Sequence, residues 1–158
     1  MTYLNDKATQ IPHEKFFSFV LKFGLISGVV IGITSYLFIS LAVRFYPGFF
    51  TEYFNPIFNT GGSRDIFYYF HSFVLGFGLA ILWYRFKNKM KGNFILKGLE
   101  FGTLYLFIAL LPVMWITFSA INVSLTLIVS WLIYGFVQAC IAGFIFAGFS
   151  RKVLDNVY

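Results

Sequence analysis

A chain of 158 residues that is 59% hydrophobic, 23% aromatic and 11% charged cannot hide its apolar surface in a water-soluble core, since globular chains carry roughly 25% charged residues. The apolar runs are continuous rather than alternating segments of about ten residues, which excludes an outer-membrane barrel. The net charge of +6 sits at the ends of those runs and not on one soluble face, which excludes nucleic acid as a partner.

One cysteine, Cys140, leaves no intramolecular disulfide, Cys-based metal site or dithiol relay. In its apolar run it reads as a small packing residue. Met1 to Lys15 is polar and the first apolar run is too long for a signal core, so no cleavable signal is expected.

After a polar tail, Met1 to Gln10, Pro12 and Glu14 suit a helix amino terminus, and helix one is expected from Pro12 to Arg44. Phe23 to Val43 is uncharged for twenty-one residues, between Lys22 and Arg44. The connection Phe45 to Asp65 opens with Tyr46-Pro47-Gly48 and closes with Asn59-Thr60-Gly61-Gly62-Ser63, both turn chemistry. Between them the aromatic spacing predicts either a short interfacial helix, Gly48 to Asn55, or an irregular loop covering the end of the bundle. Helix two is expected from Arg64 to Met90, capped by Ser63 or Asp65, with Trp83 and Tyr84 as an interfacial aromatic belt. Ser72, Gly76 and Ala80 are small residues four apart within it.

The second connection is basic, with Arg85, Lys87, Lys89, Lys91 and Lys97, and turns at Gly92. Helix three starts near Asn93 or Phe94, and Pro112 removes the hydrogen bond to the Ile108 carbonyl, predicting a kink. A turn at Ala120-Ile121-Asn122 leads to helix four, uncharged from Val123 to Ser150. At about 42 Å it exceeds a hydrocarbon core of ~30 Å and should tilt or project.

The fold class read from this pattern is all-α, a polytopic membrane protein with four transmembrane helices in an antiparallel bundle. One domain covers 1–158, with spans at about 22–44, 65–85, 98–121 and 123–150. Four spans put both termini and the basic connection on one side, with ten of twelve Lys and Arg residues; only Arg44 and Arg64 fall opposite. By the positive-inside rule that side is the cytoplasm of a bacterial inner membrane.

Two ladders of small residues mark packing faces: Gly24, Gly28 and Gly32 on helix one, and Gly135, Ala139, Gly143 and Ala147 on helix four. Gly24, Gly28 and Gly32 lie about 3, 9 and 15 Å from Lys22, and Ala147, Gly143 and Ala139 about 6, 12 and 18 Å from Arg151. Equal depths predict that helices one and four meet there, or that one ladder faces a second subunit.

Ionisable groups within a span are functional candidates by default. His71 is either a proton-responsive or ligand-contacting group, or an interfacial histidine bonded nearby. Glu100 is either a membrane carboxylate with raised pKa, or an interfacial one paired with Lys97 or Lys22. Gln138 is its expected intramembrane partner. Arg44, Arg64 and Asp65 are expected to pin the loop. No catalytic, metal or cofactor-binding residue is assigned.

Four-helix quinone oxidoreductases need cysteine pairs, b-type cytochromes two intramembrane histidines per haem, and small multidrug exporters a carboxylate in the first helix; these are lacking here. Lys22-Phe23-Gly24-Leu25-Ile26-Ser27-Gly28 and Lys97-Gly98-Leu99-Glu100-Phe101-Gly102 resemble segments of small uncharacterised four-helix bacterial integral membrane proteins. That resemblance implies no activity and no site residues. The expected function is a structural or accessory membrane protein acting through helix–helix contacts, with lipids, a second copy or another membrane protein as partners. The alternatives are a binder or transporter of a lipid-like or small apolar molecule through an outward aromatic cavity, and an intramembrane enzyme.

Overall fold

The computed structural model describes residues 13–54, 58 and 65–154, which contain helices and no strand. Helix α1 spans His13–Phe45. A short 3-10 helix follows at Pro47–Phe54. Helix α2 spans Asp65–Phe86. Helix α3 runs over Phe94–Ala120 and contains a π-helical turn at Leu106–Leu110. Helix α4 spans Leu125–Leu154. Three segments, Lys15–Phe45, Phe94–Ala120 and Leu125–Phe149, are long and apolar enough to cross a membrane, and α2 adds the shorter apolar stretch Phe70–Phe86. The architecture is that of an all-helical membrane protein. The polar tail Met1 to Gln10, the expected caps at Ser63 or Asp65 and the expected loop pinning by Arg64 lie outside the described residues and side chains.

Local chemistry sets the helix ends. The expected helix two is shortened: Lys87–Lys89 form a turn after Phe86, and Gly92 takes a φ of +97° that few other residues tolerate. Asn93 then caps α3, its Oδ1 accepting from the Leu96 N–H at 2.9 Å. Ser124 does the same for α4, its Oγ accepting from the Leu127 N–H at 3.1 Å. The disturbance expected at Pro112 begins one turn earlier. The Leu111 N–H donates to the Leu106 carbonyl, five residues back. A π turn next to proline is a recognised way to absorb a break in the α-helical ladder.

The helices pack as two antiparallel pairs. On α1, Gly24 faces Phe77, Gly28 faces Phe73 and Gly32 faces Ser72 of α2. The closest approach is at Gly76, where a Cβ would stand 2.7 Å from the Gly24 carbonyl oxygen and 2.9 Å from the Gly28 Cα. Ser27 is fully buried in this seam, its Oγ donating to the Phe23 carbonyl at 2.7 Å. The second pair repeats the device. A Cβ on Gly143 of α4 would lie 2.8 Å from the Gly98 Cα of α3. Gly102 receives Cys140, and Leu110 in the π turn lies over Gly135.

Helices α1 and α4 do meet, through the rings of Phe23 and Phe146, but the glycines of the two ladders are not the contact. Depth fixes height along a helix but not the direction a face points. The α1 glycines are taken by α2, and Gly135 and Gly143 by α3, while Ala139 and Ala147 are buried.

The pairs join through aromatic rings. Phe23 of α1, Trp83 of α2, Phe101 of α3 and Phe146 of α4 are all buried. Phe146 lies with ring centroids 6.4 Å from Phe23, 5.8 Å from Trp83 and 6.1 Å from Phe101. Trp83 meets Phe101 edge-on at 5.3 Å. Such pairs contribute ~0.5–1.5 kcal/mol each beyond area burial. Trp83 thus belongs to the core, not to an interfacial belt.

Gly76 and Gly78 separate close approach from helix propensity, because a Cβ on Gly78 would meet nothing within 4 Å. Gly76→Ala should destabilise the fold by ~1–3 kcal/mol through overpacking against backbone. Gly78→Ala should be neutral or stabilising by up to ~1 kcal/mol. Thermal unfolding in detergent, followed by circular dichroism, distinguishes the two.

Candidate functional site

The three polar candidates fall in different places. His71 is exposed on the surface of α2. Glu100 is exposed at the start of α3, on a cavity of about 120 Å³ that it shares with Phe86, Lys89, Met90 and Leu104. The cation across that cavity is Lys89 rather than the expected Lys97. Fifteen residues of α2 separate His71 from Phe86, about 22 Å along the helix axis, so His71 and Glu100 do not form one site.

Gln138 is buried and pairs with α1 instead of Glu100. Its Nε2 donates to Ser35 Oγ at 3.0 Å, and Ser35 Oγ in turn donates to the Ile31 carbonyl at 2.6 Å. Phe38 and Tyr134 stack beside this bond with centroids 5.3 Å apart. The arrangement links α1 to α4 at a level where lipid offers no hydrogen-bond partner. A bond of this kind is worth ~0.6 kcal/mol on average in a membrane.

The first connection is anchored by residues that sequence reasoning did not single out as a unit. The short helix is 3-10 in form, and its Tyr53 reaches α4: Trp131 Nε1 donates to the Tyr53 hydroxyl at 2.7 Å. Phe58 stands edge-on to Trp131 at 6.1 Å and 5.4 Å from the Tyr53 ring. Glu52 Oε2 accepts from the Ser124 N–H at 3.4 Å, at the amino end of α4 where a carboxylate is electrostatically favoured. Burial raises the Tyr53 hydroxyl above its ordinary pKa, the Trp131 hydrogen bond lowers it, and the Glu52 charge raises it further. The aromatic spacing of the loop and a tryptophan near the outer end of the last span were the available signals.

At the opposite end, the basic connection folds onto α1. Phe16 and Phe19 lie 5.0 and 5.2 Å from Tyr84. The Arg85 guanidinium stands 5.7 Å over Phe16. Lys87 Nζ is 4.1 Å from the Tyr84 centroid and 5.8 Å from that of Phe19. Burial pushes the Lys87 ammonium below the ordinary lysine value. Just inside, the buried Trp83 Nε1–H has no hydrogen-bond acceptor, a cost of ~1–3 kcal/mol set against its contacts with the Phe101 and Phe146 rings.

Among the described residues no group of three or more His, Cys, Asp or Glu side chains is placed to hold a metal ion. Gln138 and Ser27 join helices, and Glu52, Tyr53 and Trp131 anchor the first connection. No family model matches the chain, and no curated protein or solved structure is detectably similar to it.

The outer anchor can be tested by Trp131→Phe, which keeps the ring but removes the donor. It should cost ~0.5–1.5 kcal/mol and speed proteolysis between Pro47 and Asp65. Combining it with Tyr53→Phe should cost less than the sum of the single changes, because the two share one bond. Fully additive losses would show that the bond does not hold the loop.

Proposed function

We propose that the chain is a four-span integral membrane protein of the bacterial inner membrane, with both termini in the cytoplasm, acting as a structural or accessory component through helix–helix contacts. A helix of 22 residues extends about 33 Å, which supports α2 as the fourth span. Orientation is supported by the described cations: Lys15, Lys22, Arg85, Lys87, Lys89, Lys91 and Lys97 belong to one end, Arg44 to the other.

The observation that carries the accessory reading is the use made of buried polar side chains. Ser27, Ser72 and Gln138 are buried. Ser27 and Ser72 lie in the α1–α2 seam, and Gln138 ties α4 to α1. The cavity beside Glu100 is smaller than the ~300–1,000 Å³ usual for ligand sites. Binding of an apolar molecule below the outer loop is the less supported reading, because Tyr53, Phe58 and Trp131 stack on one another there. Catalysis by His71 or Glu100 has the least support, since each lacks the other as a neighbour.

Both parts of the proposal can be measured. In a Cys140→Ser background, Thr51→Cys should react with an impermeant maleimide on intact cells, and Asn88→Cys only after permeabilisation; the reverse would invert the topology. Extraction in native lipid discs should yield a complex of fixed stoichiometry with a second copy or another membrane protein. A lone 18.2 kDa chain carrying one equivalent of an apolar molecule would contradict the accessory role and favour ligand binding.

A further inference from the structure

We propose that the basic end of the α1–α2 pair binds an anionic phospholipid, with the phosphate held by Arg85 and Lys87 and the acyl chains lying along Phe17, Leu21 and Leu25 of α1. The proposal rests on the membrane reading of the fold and is independent of the accessory role.

Charge is the first observation. Among the residues whose side chains are described, seven cations, Lys15, Lys22, Arg85, Lys87, Lys89, Lys91 and Lys97, share this end of the molecule with one carboxylate, Glu100. Glu100 lines its cavity with Lys89 and not with Arg85 or Lys87. A juxtamembrane cluster of four to eight Lys and Arg residues is the usual signature of anionic headgroup recognition.

Three of the seven are held over rings: Lys22 over Phe23, Arg85 over Phe16, and Lys87 over Tyr84 and Phe19. Of these, Arg85 and Lys87 meet on the rings packed around Tyr84. Ring faces satisfy the charge but leave the N–H donors free for an oxyanion. Lys87 is half-buried, and burial disfavours its charged form. A phosphate oxygen at hydrogen-bond distance would offset that cost directly. Arg85 supplies the planar fork that suits phosphate, and Lys87 the point charge.

The apolar half of the ligand has a matching surface. Phe17, Leu21 and Leu25 recur every four residues on α1 and are 68%, 48% and 45% exposed. They form one stripe that starts beside Phe16 and runs away from the cationic end into the span. A soluble phosphate or an acidic peptide would use the cations and leave this stripe unused. A phospholipid uses both.

The test is native mass spectrometry of the full chain in detergent, titrated with phosphatidylglycerol or phosphatidylcholine. Phosphatidylglycerol should bind at least ~10-fold more tightly, since a cation near a membrane surface contributes about 5-fold in affinity for an anionic lipid. Arg85→Gln with Lys87→Gln should reduce the preference to ~2-fold or less, whereas Lys89→Gln with Lys91→Gln, an equal loss of charge, should leave most of it. Lys87→Arg should retain binding, and each variant is checked for helicity by circular dichroism. If the Gln pair fails to fold, Arg85→Gln and Lys87→Gln are read singly, each expected to weaken binding about 5-fold. Equal weakening by both Gln pairs would overturn the site in favour of diffuse attraction. Displacement of the lipid by millimolar inorganic phosphate would overturn it in favour of a soluble anion. Loss of the chain from membranes on carbonate washing would refute the membrane reading itself; retention without lipid preference would refute only this site.

Discussion

The contact of Gly76 with the backbone of Gly24 and Gly28 is the constraint on which the rest of the structure depends. Two apolar helices gain nothing from leaving lipid for each other by the hydrophobic effect, since lipid tails are as apolar as leucine. They associate by close packing, and backbones approach closely only where side chains are missing. Gly76 meets α1 at such a point, and the Ser27 hydroxyl, donating to the Phe23 carbonyl, also lies 3.4 Å from the Gly76 carbonyl in the same seam. Gly98 and Gly143 supply the equivalent contact between α3 and α4. Each pair is thereby fixed in register.

What joins the pairs is different in kind. Phe23, Trp83, Phe101 and Phe146 come one from each helix, and their rings interlock in the half of the molecule nearest the basic connection. Further along, a bond from Gln138 to Ser35 ties α4 to α1. At the far end, Trp131 and Tyr53 bring the first connection down onto α4. The molecule is held by rings at one end, an amide in the middle and an aromatic loop at the other. That distribution commits the buried polar side chains Ser27, Ser72 and Gln138 to the seams between helices.

Much of this was legible in the sequence. Uncharged runs bounded by Lys and Arg locate the helices to within a few residues, and Gly92-Asn93 marks the turn into α3. The small residues were also visible, including Ser72, Gly76 and Ala80, but their partners were not. Gly24 and Gly28 lie at similar depth to both α2 and α4, and nothing in the spacing says which way a face points. Trp83 next to Tyr84 and Arg85 reads as an interfacial belt by composition; its burial depends on Phe101 and Phe146, which are distant in sequence. Gln138 could have bonded Glu100 on depth alone, yet Ser35 is the partner the packing provides. Pro112 correctly marked a break in α3, while the π turn that absorbs it lies in Leu106–Leu110 and depends on Leu110 lying over Gly135.

Intrachain crosslinking tests the arrangement of the helices most directly. A Cβ on Gly32 would stand 3.7 Å from the Ser72 Cβ, close to the ~3.8 Å mean of natural disulfides. In a Cys140→Ser background, Gly32→Cys with Ser72→Cys should form a disulfide within one chain under mild oxidation in native membranes. Gly32→Cys with Ala139→Cys, which would join the two ladders, should not. Efficient crosslinking of the second pair, or exclusively intermolecular crosslinking of the first, would contradict the paired-helix account.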